Sequence, residues 1–282
     1  MTLTISNHSR DSAGLTYIYP VLSRRAGGLS VGINLNTNNA CNWRCIYCQV
    51  PDLIRGNAPA VDLEKLQREL VTFLDEVLHG DFFTDNNIPS ENQVIRDIAI
   101  SGNGEPTNAR EFPDVVDLIG QVIAEMELTG QIKVVLISNG SVVNRSAVKN
   151  GLMRLAELNG EVWLKLDSVT QAGMDMINTV SGSITSVRQN IKTAASLCPT
   201  WLQTCVFILD GAPPSIVERN AYIQFVTDLL GEKILLRGVQ LYSLARPSLQ
   251  PESSRLSSLS LEWLEQYADQ IRKTGIEVVV NK

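Results

Sequence analysis

The segment Cys41-Asn42-Trp43-Arg44-Cys45-Ile46-Tyr47-Cys48 places three cysteines within eight residues, shortly after an apolar run at Leu29–Leu35. Thiolates are the ligands of a [4Fe-4S] cluster. Three of them on one short loop bind three irons and leave the fourth iron open, where it can chelate the amino and carboxylate groups of a ligand. The spacing therefore indicates a cluster whose ligands are Cys41, Cys45 and Cys48.

A zinc site is the first alternative, because cysteines also bind structural zinc. Such a site is nearly always four-coordinate. The fourth ligand would be Cys198, Cys205, His8 or His79, and none of these stands at zinc-finger spacing. Chance clustering of buried thiols is the second alternative. The position of the cysteines directly after a predicted strand favours the cluster over both.

Strands and helices alternate along the chain from residue 29. Short apolar runs rich in β-branched residues predict the strands, and apolar stripes at helical spacing predict the helices between them. The predicted strands are Leu29–Leu35, Val94–Ile100, Ile132–Ile137, Val162–Asp167, Trp201–Ile208, Arg237–Tyr242 and Ile276–Val280. The six βα units predict a parallel sheet, either a partial, open barrel or a doubly wound sheet, since a closed barrel needs eight units.

Polar residues and glycines collect where the predicted strands end. They occur in Asn36–Cys48, Ser101–Pro106, Ser138–Gly140, Lys165–Ser168 and Tyr242–Pro247. In both candidate folds the carboxyl ends of the strands carry the ligand-binding site. These five segments are therefore expected to meet in one site.

The Cys-x3-Cys-x2-Cys spacing after the first strand, with the aromatic Tyr47 just before the last cysteine, resembles the radical S-adenosylmethionine superfamily. The resemblance covers about residues 29–247. It implies an α/β fold, the partial (β/α)6 barrel, with Tyr47 beside the adenine of S-adenosylmethionine. It also implies that the reduced cluster cleaves S-adenosylmethionine to a 5′-deoxyadenosyl radical, and that a one-electron donor such as flavodoxin or ferredoxin is a partner.

Further positions match the same superfamily. Gly104 and Glu105 resemble its Gly-Gly-Glu motif, in which a carboxylate accepts hydrogen bonds from the methionine ammonium. Ser138 and Asn139 resemble the polar end of the third strand, which meets the sugar or methionine. The structural alternative for Gly104 and Glu105 is a turn glycine followed by a surface glutamate. The structural alternative for Ser138 and Asn139 is a turn in which both cap the following helix.

Lys165 and Asp167 lie two residues apart on the fourth predicted strand, so strand alternation puts both on one face. The resemblance implies contacts with the cofactor's carboxylate or ribose, and a structural ion pair is the alternative. Arg246 is a candidate for binding an anionic group, whereas Arg24 and Arg25 are expected at the surface.

Residues 23–34, together with 101–107 and 241–247, are similar to the wyosine-base synthases that modify transfer RNA. Those enzymes carry a second cluster, and only Cys198 and Cys205 remain here, each expected to be a core thiol. Lys165 is a candidate for the Schiff-base lysine of that group, but the residues around it do not map it onto that role. The expected substrate is therefore unidentified, with RNA or a nucleotide as the first hypothesis. A peptide or protein is the alternative, and a non-catalytic metal-binding module is the third reading.

The chain has 282 residues and a formal net charge of -6. The acidic balance argues against a broad, nonspecific nucleic-acid binder. We expect an N-terminal extension at 1–28 and a core domain at 29–282 that ends in a helix and a strand. Residues 81–92 are expected to form a helix-poor surface loop. No stretch reaches 18 apolar residues and the start is polar, which predicts a cytoplasmic protein without a membrane segment.

Overall fold

The computed structural model describes residues 14–23, 27–180 and 182–281. The strands in these ranges are β1 Ile18–Ser23, β2 Gly28–Ile33, β3 Ala40–Cys41, β4 Ile54–Arg55, β5 Ile95–Ile100, β6 Lys133–Ser138, β7 Glu161–Lys165, β8 Thr200–Cys205, β9 Ile208–Leu209, β10 Leu236–Tyr242, β11 Leu256–Ser257 and β12 Val278–Asn281. The helices are α1 Leu63–His79, α2 Phe82–Asp85, α3 Phe112–Glu125, α4 Ser146–Glu157, α5 Gln171–Asn178, α6 Ile184–Leu197, α7 Ile216–Gly231 and α8 Leu261–Arg272.

Eight strands form one curled sheet in the order β1-β2-β5-β6-β7-β8-β10-β12. Neighbours from β2 to β12 pair in parallel, and β1 pairs antiparallel with β2 at one edge. Six parallel strands are each followed by a packed helix, namely α1, α3, α4, α6, α7 and α8. The predicted partial (β/α)6 barrel is confirmed, and the sheet keeps two edges, β1 and β12.

Side chains of the strands alternate between the barrel interior and the helix layer. On β5, Asp97 and Ala99 line the interior, while Ile98 and Ile100 are fully buried in the core under the helices. Helix α1 begins at a true N-cap, because the carboxylate of Asp62 accepts the backbone N–H of Lys65 at 2.9 Å. The cap fixes the start of α1 at Leu63.

The predicted N-terminal extension contributes a strand to the sheet. Ile18–Ser23 form β1, and the register runs from Ile18↔Ile33 to Ser23↔Gly28. The ring of Tyr19 packs on Gly32, where an added Cβ would lie 2.2 Å from the ring. The domain boundary at residue 28 stays a prediction.

The expectation of a helix-poor loop at residues 81–92 is wrong. This segment contains α2 and a 3-10 turn at Ser90–Asn92. Phe82 is buried, and its ring centroid lies 5.2 Å from that of Phe73 on α1. An apolar contact with α1 thus orders a polar segment.

Within the described ranges, no helix is both long enough and apolar enough to cross a membrane.

Candidate active site

A cavity of about 380 Å³ opens at the carboxyl ends of the strands. Nine of the ten predicted site residues line it, namely Cys41, Cys45, Tyr47, Cys48, Gly104, Glu105, Ser138, Asn139 and Lys165. The tenth, Asp167, lies behind the wall of this cavity and lines a smaller neighbouring one. The strand-end segments therefore meet in one site.

The loop that carries the three cysteines is held from the β6 side by amide and hydroxyl groups. The Nδ2 group of Asn42 donates to Ser141 Oγ at 2.6 Å, and Asn139 Nδ2 donates to Asn42 Oδ1 at 2.9 Å. Asn139 therefore orients the start of the cysteine loop as well as lining the cavity.

The C-terminal end of α5 holds the middle of the loop. The backbone N–H of Arg44 donates to Asn178 O at 3.2 Å, and that of Ile46 donates to Ile177 O at 2.9 Å. Asn178 Nδ2 also donates to Cys45 Sγ at 3.2 Å. Cys45 is thus fixed both through its backbone neighbours and at its sulfur.

The segment after β10 holds the end of the loop. Ser248 Oγ donates to Ile46 O at 2.7 Å, and the backbone N–H of Leu249 donates to Cys48 O at 3.0 Å. Arg44 adds an ion pair with Glu252 at 2.7 Å. Three separate elements therefore fix the loop.

Burial raises the pKa of two of the loop cysteines, Cys41 and Cys45. Loss of solvation raises the pKa of the Cys41 thiol to about 12, against the opposing backbone N–H of Trp43 at 3.4 Å. Burial also raises the pKa of Cys45, and nearby Asp167 acts in the same direction. A bound cation reverses this balance, because a coordinating thiol is deprotonated outright. A metal centre bound here would therefore hold these thiols as thiolates.

The donor set fits an iron–sulfur cluster better than a single ion. Three soft sulfur ligands on one loop border open space in the cavity. Among the described residues, no group of three or more histidine, cysteine or acidic side chains is arranged to hold a metal ion. A four-iron cluster is wider than one ion, so its thiolates need not converge on a point. Of the alternative zinc ligands, Cys205 lines the cavity, Cys198 and His79 do not, and His8 lies outside the described residues.

Glu105 is a buried carboxylate that already accepts four hydrogen bonds. Oε1 accepts the backbone N–H of Thr107 at 3.1 Å, the Thr107 hydroxyl at 2.5 Å and the Ser138 hydroxyl at 2.7 Å. Oε2 accepts the backbone N–H of Asn139 at 2.6 Å. Burial raises the pKa of Glu105. Because each carboxylate oxygen has about two acceptor sites, Oε2 keeps one for a ligand.

Gly104 is required by the protein backbone. A Cβ at this position would lie 2.0 Å from Ala40 O, next to the first cysteine. This glycine therefore brings the loop after β5 against strand β3.

Tyr47 joins Lys165 to Asp167. Its hydroxyl donates to Asp167 Oδ2 at 2.6 Å, and Lys165 Nζ lies 5.0 Å from its ring centroid. Lys165 also donates to the hydroxyl of Tyr242. Burial alone would lower the pKa of Lys165, but Tyr242 and Asp167 outweigh burial and raise it. Lys165 is therefore a half-buried cation, and it forms no direct ion pair with Asp167.

Sequence reasoning missed two residues of this region. Asp97 is buried, lines the cavity and accepts a hydrogen bond from the hydroxyl of Ser30. Burial raises its pKa to about 6. A carboxylate inside the apolar run Val94–Ile100 was the available signal. For Asn178 no local pattern existed, because its contact with Cys45 spans 133 residues.

The remaining candidates are distributed unevenly. Arg246 and Cys205 line the cavity, whereas Cys198 is buried with its thiol 3.6 Å from Gly160 O. Arg24 and Arg25 lie outside the described residues.

Solved structures with the same fold include enzymes with bound ligands. A structure of TYW1 with a lysine-pyruvate adduct bound is 13% identical, with a TM-score of 0.58, and the match covers 86% of this chain and 73% of that one. A double mutant of spore photoproduct lyase with bound AdoMet and dinucleoside spore photoproduct is 10% identical, with a TM-score of 0.55, over 86% of this chain and 73% of that one. The fold is thus the partial barrel typical of radical S-adenosylmethionine enzymes.

Sequence comparison adds one curated relative. "GTPase Obg" from Brachyspira hyodysenteriae (strain ATCC 49526 / WA1) is 24% identical over 256 residues, which are 88% of this chain and 32% of the relative. The chain spans about a third of the length of that protein. It does not contain the Gly-x4-Gly-Lys-Ser/Thr pattern of a nucleotide-binding P-loop. No family model matches the chain.

Proposed function

We propose that this protein is a radical S-adenosylmethionine enzyme whose cluster is held by Cys41, Cys45 and Cys48. The observation that carries the proposal is that the three cysteines line one strand-end cavity together with Glu105 and Lys165. When bound, the reduced cluster would supply the electron that cleaves S-adenosylmethionine to methionine and a 5′-deoxyadenosyl radical, which abstracts hydrogen from the substrate.

The protein's own groups would bind and orient S-adenosylmethionine. The remaining acceptor site on Glu105 Oε2 suits the methionine ammonium, and the half-buried cation of Lys165 suits a carboxylate. The Tyr47 ring is fixed by its hydroxyl bond to Asp167, so it offers the adenine an aromatic ring of defined orientation. Ser138 and Asn139 orient Glu105 through the bonds described above.

RNA or a nucleotide is the substrate class that we favour. Five large aromatic side chains line the cavity, namely Tyr19, Trp43, Tyr47, Trp163 and Tyr242. Aromatic faces stack on nucleobases. Spore photoproduct lyase, whose fold is similar, has been solved with a bound dinucleoside spore photoproduct. Photocrosslinking in cell extract followed by mass spectrometry tests this, and capture of a polypeptide would favour the alternative substrate class.

The electron would come from a one-electron donor such as flavodoxin or ferredoxin. To test this, each purified donor is mixed with the reconstituted protein, and the paramagnetic resonance signal of the reduced cluster is measured. A donor that produces no such signal is excluded.

The first prediction concerns cofactor cleavage. Protein purified without oxygen, reconstituted with iron and sulfide and reduced with dithionite is expected to form 5′-deoxyadenosine from S-adenosylmethionine. Cys41→Ala, Cys45→Ala and Cys48→Ala should each reduce this product to background, because each removes a cluster ligand. Product is quantified by mass spectrometry.

Cys198→Ala is the matched control, because Cys198 is buried outside the cavity. It should retain wild-type product formation. Cleavage at the wild-type rate in all three loop variants, or zinc in place of iron, would contradict the proposed function.

A further inference from the structure

Asn178 combines a hydrogen bond to a cysteine sulfur with a hydrogen bond to a carboxylate. Its Nδ2 group lies 3.2 Å from Cys45 Sγ and 2.8 Å from Asp167 Oδ2. The amide carries two N–H groups, so each bond uses one of them. The residue is 2% exposed, so water does not compete for either bond.

From this geometry we infer that Asn178 is a positioning residue that sets the reduction potential of the cluster through its N–H···S bond to Cys45. The inference rests on the proposed function. Reduction adds negative charge that is shared by the thiolate ligands. A donor held against one of these sulfurs stabilises the reduced state, and hydrogen bonds to sulfur are a known control of cluster potentials.

Asp167 determines which end of the amide faces the sulfur. A carboxylate only accepts hydrogen bonds, so it selects the NH2 group of Asn178 and excludes the amide oxygen. Asp167 is itself fixed by the hydroxyl of Tyr47 at 2.6 Å and the backbone N–H of Cys205 at 3.0 Å. The donor is thus preorganised before any cluster binds.

Backbone contacts hold Asn178 beside Cys45 independently of the amide. Asn178 O accepts the N–H of Arg44, and the hydroxyl of Thr179 donates to Arg44 O at 2.8 Å. Replacing the Asn178 side chain therefore removes the bond to sulfur and leaves the attachment of the loop in place.

The experiment compares Asn178→Ala, Asn178→Ser and Asn178→Asp with Thr179→Ala in the full-length, reconstituted protein. Thr179→Ala is the matched control, because it removes a bond to the same loop that does not involve sulfur. The midpoint potential is read by paramagnetic resonance during a dithionite titration. We expect Asn178→Ala to shift it to more negative values. At the wild-type midpoint its reduced fraction should fall from one half to about a tenth, a tenfold change in the equilibrium.

Asn178→Asp should shift the potential further, because a carboxylate would face both the thiolate and Asp167. Thr179→Ala should keep the wild-type potential. The N–H proton that Asn178 directs at Cys45 Sγ exchanges with solvent and should give a magnetic coupling to the cluster. This coupling should be lost in Asn178→Ala and kept in Thr179→Ala.

Two results would overturn the inference. One is a wild-type potential in every iron-loaded Asn178 variant. The other is loss of iron from all Asn178 variants while Thr179→Ala loads normally, which would make Asn178 an assembly residue. An unloaded or inactive wild-type protein would instead contradict the proposed function, before any variant is compared.

Discussion

At the scale of single residues, Asp97 is a carboxylate that the fold holds at an energetic cost. Its pKa of about 6 lies above the ordinary value of 3.8, because burial disfavours the charged form. Between these values the folded protein binds more protons than the unfolded chain. The contribution of protonated Asp97 to the free energy of unfolding is therefore fully present below pH 3.8 and is lost as the pH rises through 6.

Asp97→Asn is expected to stabilise the protein at neutral pH. The asparagine keeps an acceptor for the hydroxyl of Ser30 and removes the buried charge. The difference between about 6 and 3.8 corresponds to at most about 3 kcal/mol in the free energy of unfolding at pH 7.5. The gain should nearly vanish at pH 4. Denaturant unfolding at the two pH values measures it.

The control for this comparison is Asp75→Asn on the exposed face of α1. Asp75→Asn should change the free energy of unfolding by no more than about 0.5 kcal/mol at either pH. A gain of equal size at both pH values in Asp97→Asn would show that burial of charge is not its source.

At the scale of elements, the loop after β5 touches strand β3 so closely that only glycine fits. Gly104→Ala would put a Cβ 2.0 Å from Ala40 O. The backbone of the loop or of strand β3 must shift to remove this clash. We expect a loss of about 1–3 kcal/mol in stability and a lower iron content after reconstitution. Thermal unfolding and iron analysis measure the two effects.

Gly182→Ala is the matched control for the Gly104 variant, because no atom lies within 4 Å of an added Cβ there. It should unfold and load iron like the wild type. Equal behaviour of the two variants would mean that the contact with β3 does not constrain the cysteine loop.

Apolar periodicity sufficed to predict most elements of the barrel, because each parallel strand is largely buried and the helices between the strands carry apolar stripes. The elements that were missed lack such a signal. Strand β1 contains Pro20, which is tolerated because β1 is an edge strand. Helix α5 has only eight residues, and α2 is ordered by packing of Phe82.

The residues of the candidate site also fall into a group that the sequence predicts and a group that it does not. Cys41, Glu105 and Lys165 were predictable because they follow or end strands, and parallel topology collects strand ends. Asn178 was not, because its distance from Cys45 is set by how α5 returns to the loop.

At the scale of the whole molecule, the cysteine loop links parts of the chain that are far apart in sequence. The segments 177–179 and 248–252 bond to it directly. If the cluster stabilises this loop, removing iron with a chelator should raise amide hydrogen exchange about tenfold in these segments and in residues 41–50.

Strands β5 and β6 serve as the internal reference in that experiment, because their pairing does not involve the loop. Their exchange should not change. Uniform exchange changes across the sheet would show that iron affects global stability and not this local network.

The separation between the loop and its anchors also matters while the chain is being made. Cys48 leaves the ribosome 200 residues before Ser248, and Cys45 leaves it 133 residues before Asn178. At usual rates of synthesis, the three thiols wait about 10–40 s for the last of these anchors. On the proposed function, the cluster would therefore enter a site whose last anchors are made long after its cysteine ligands.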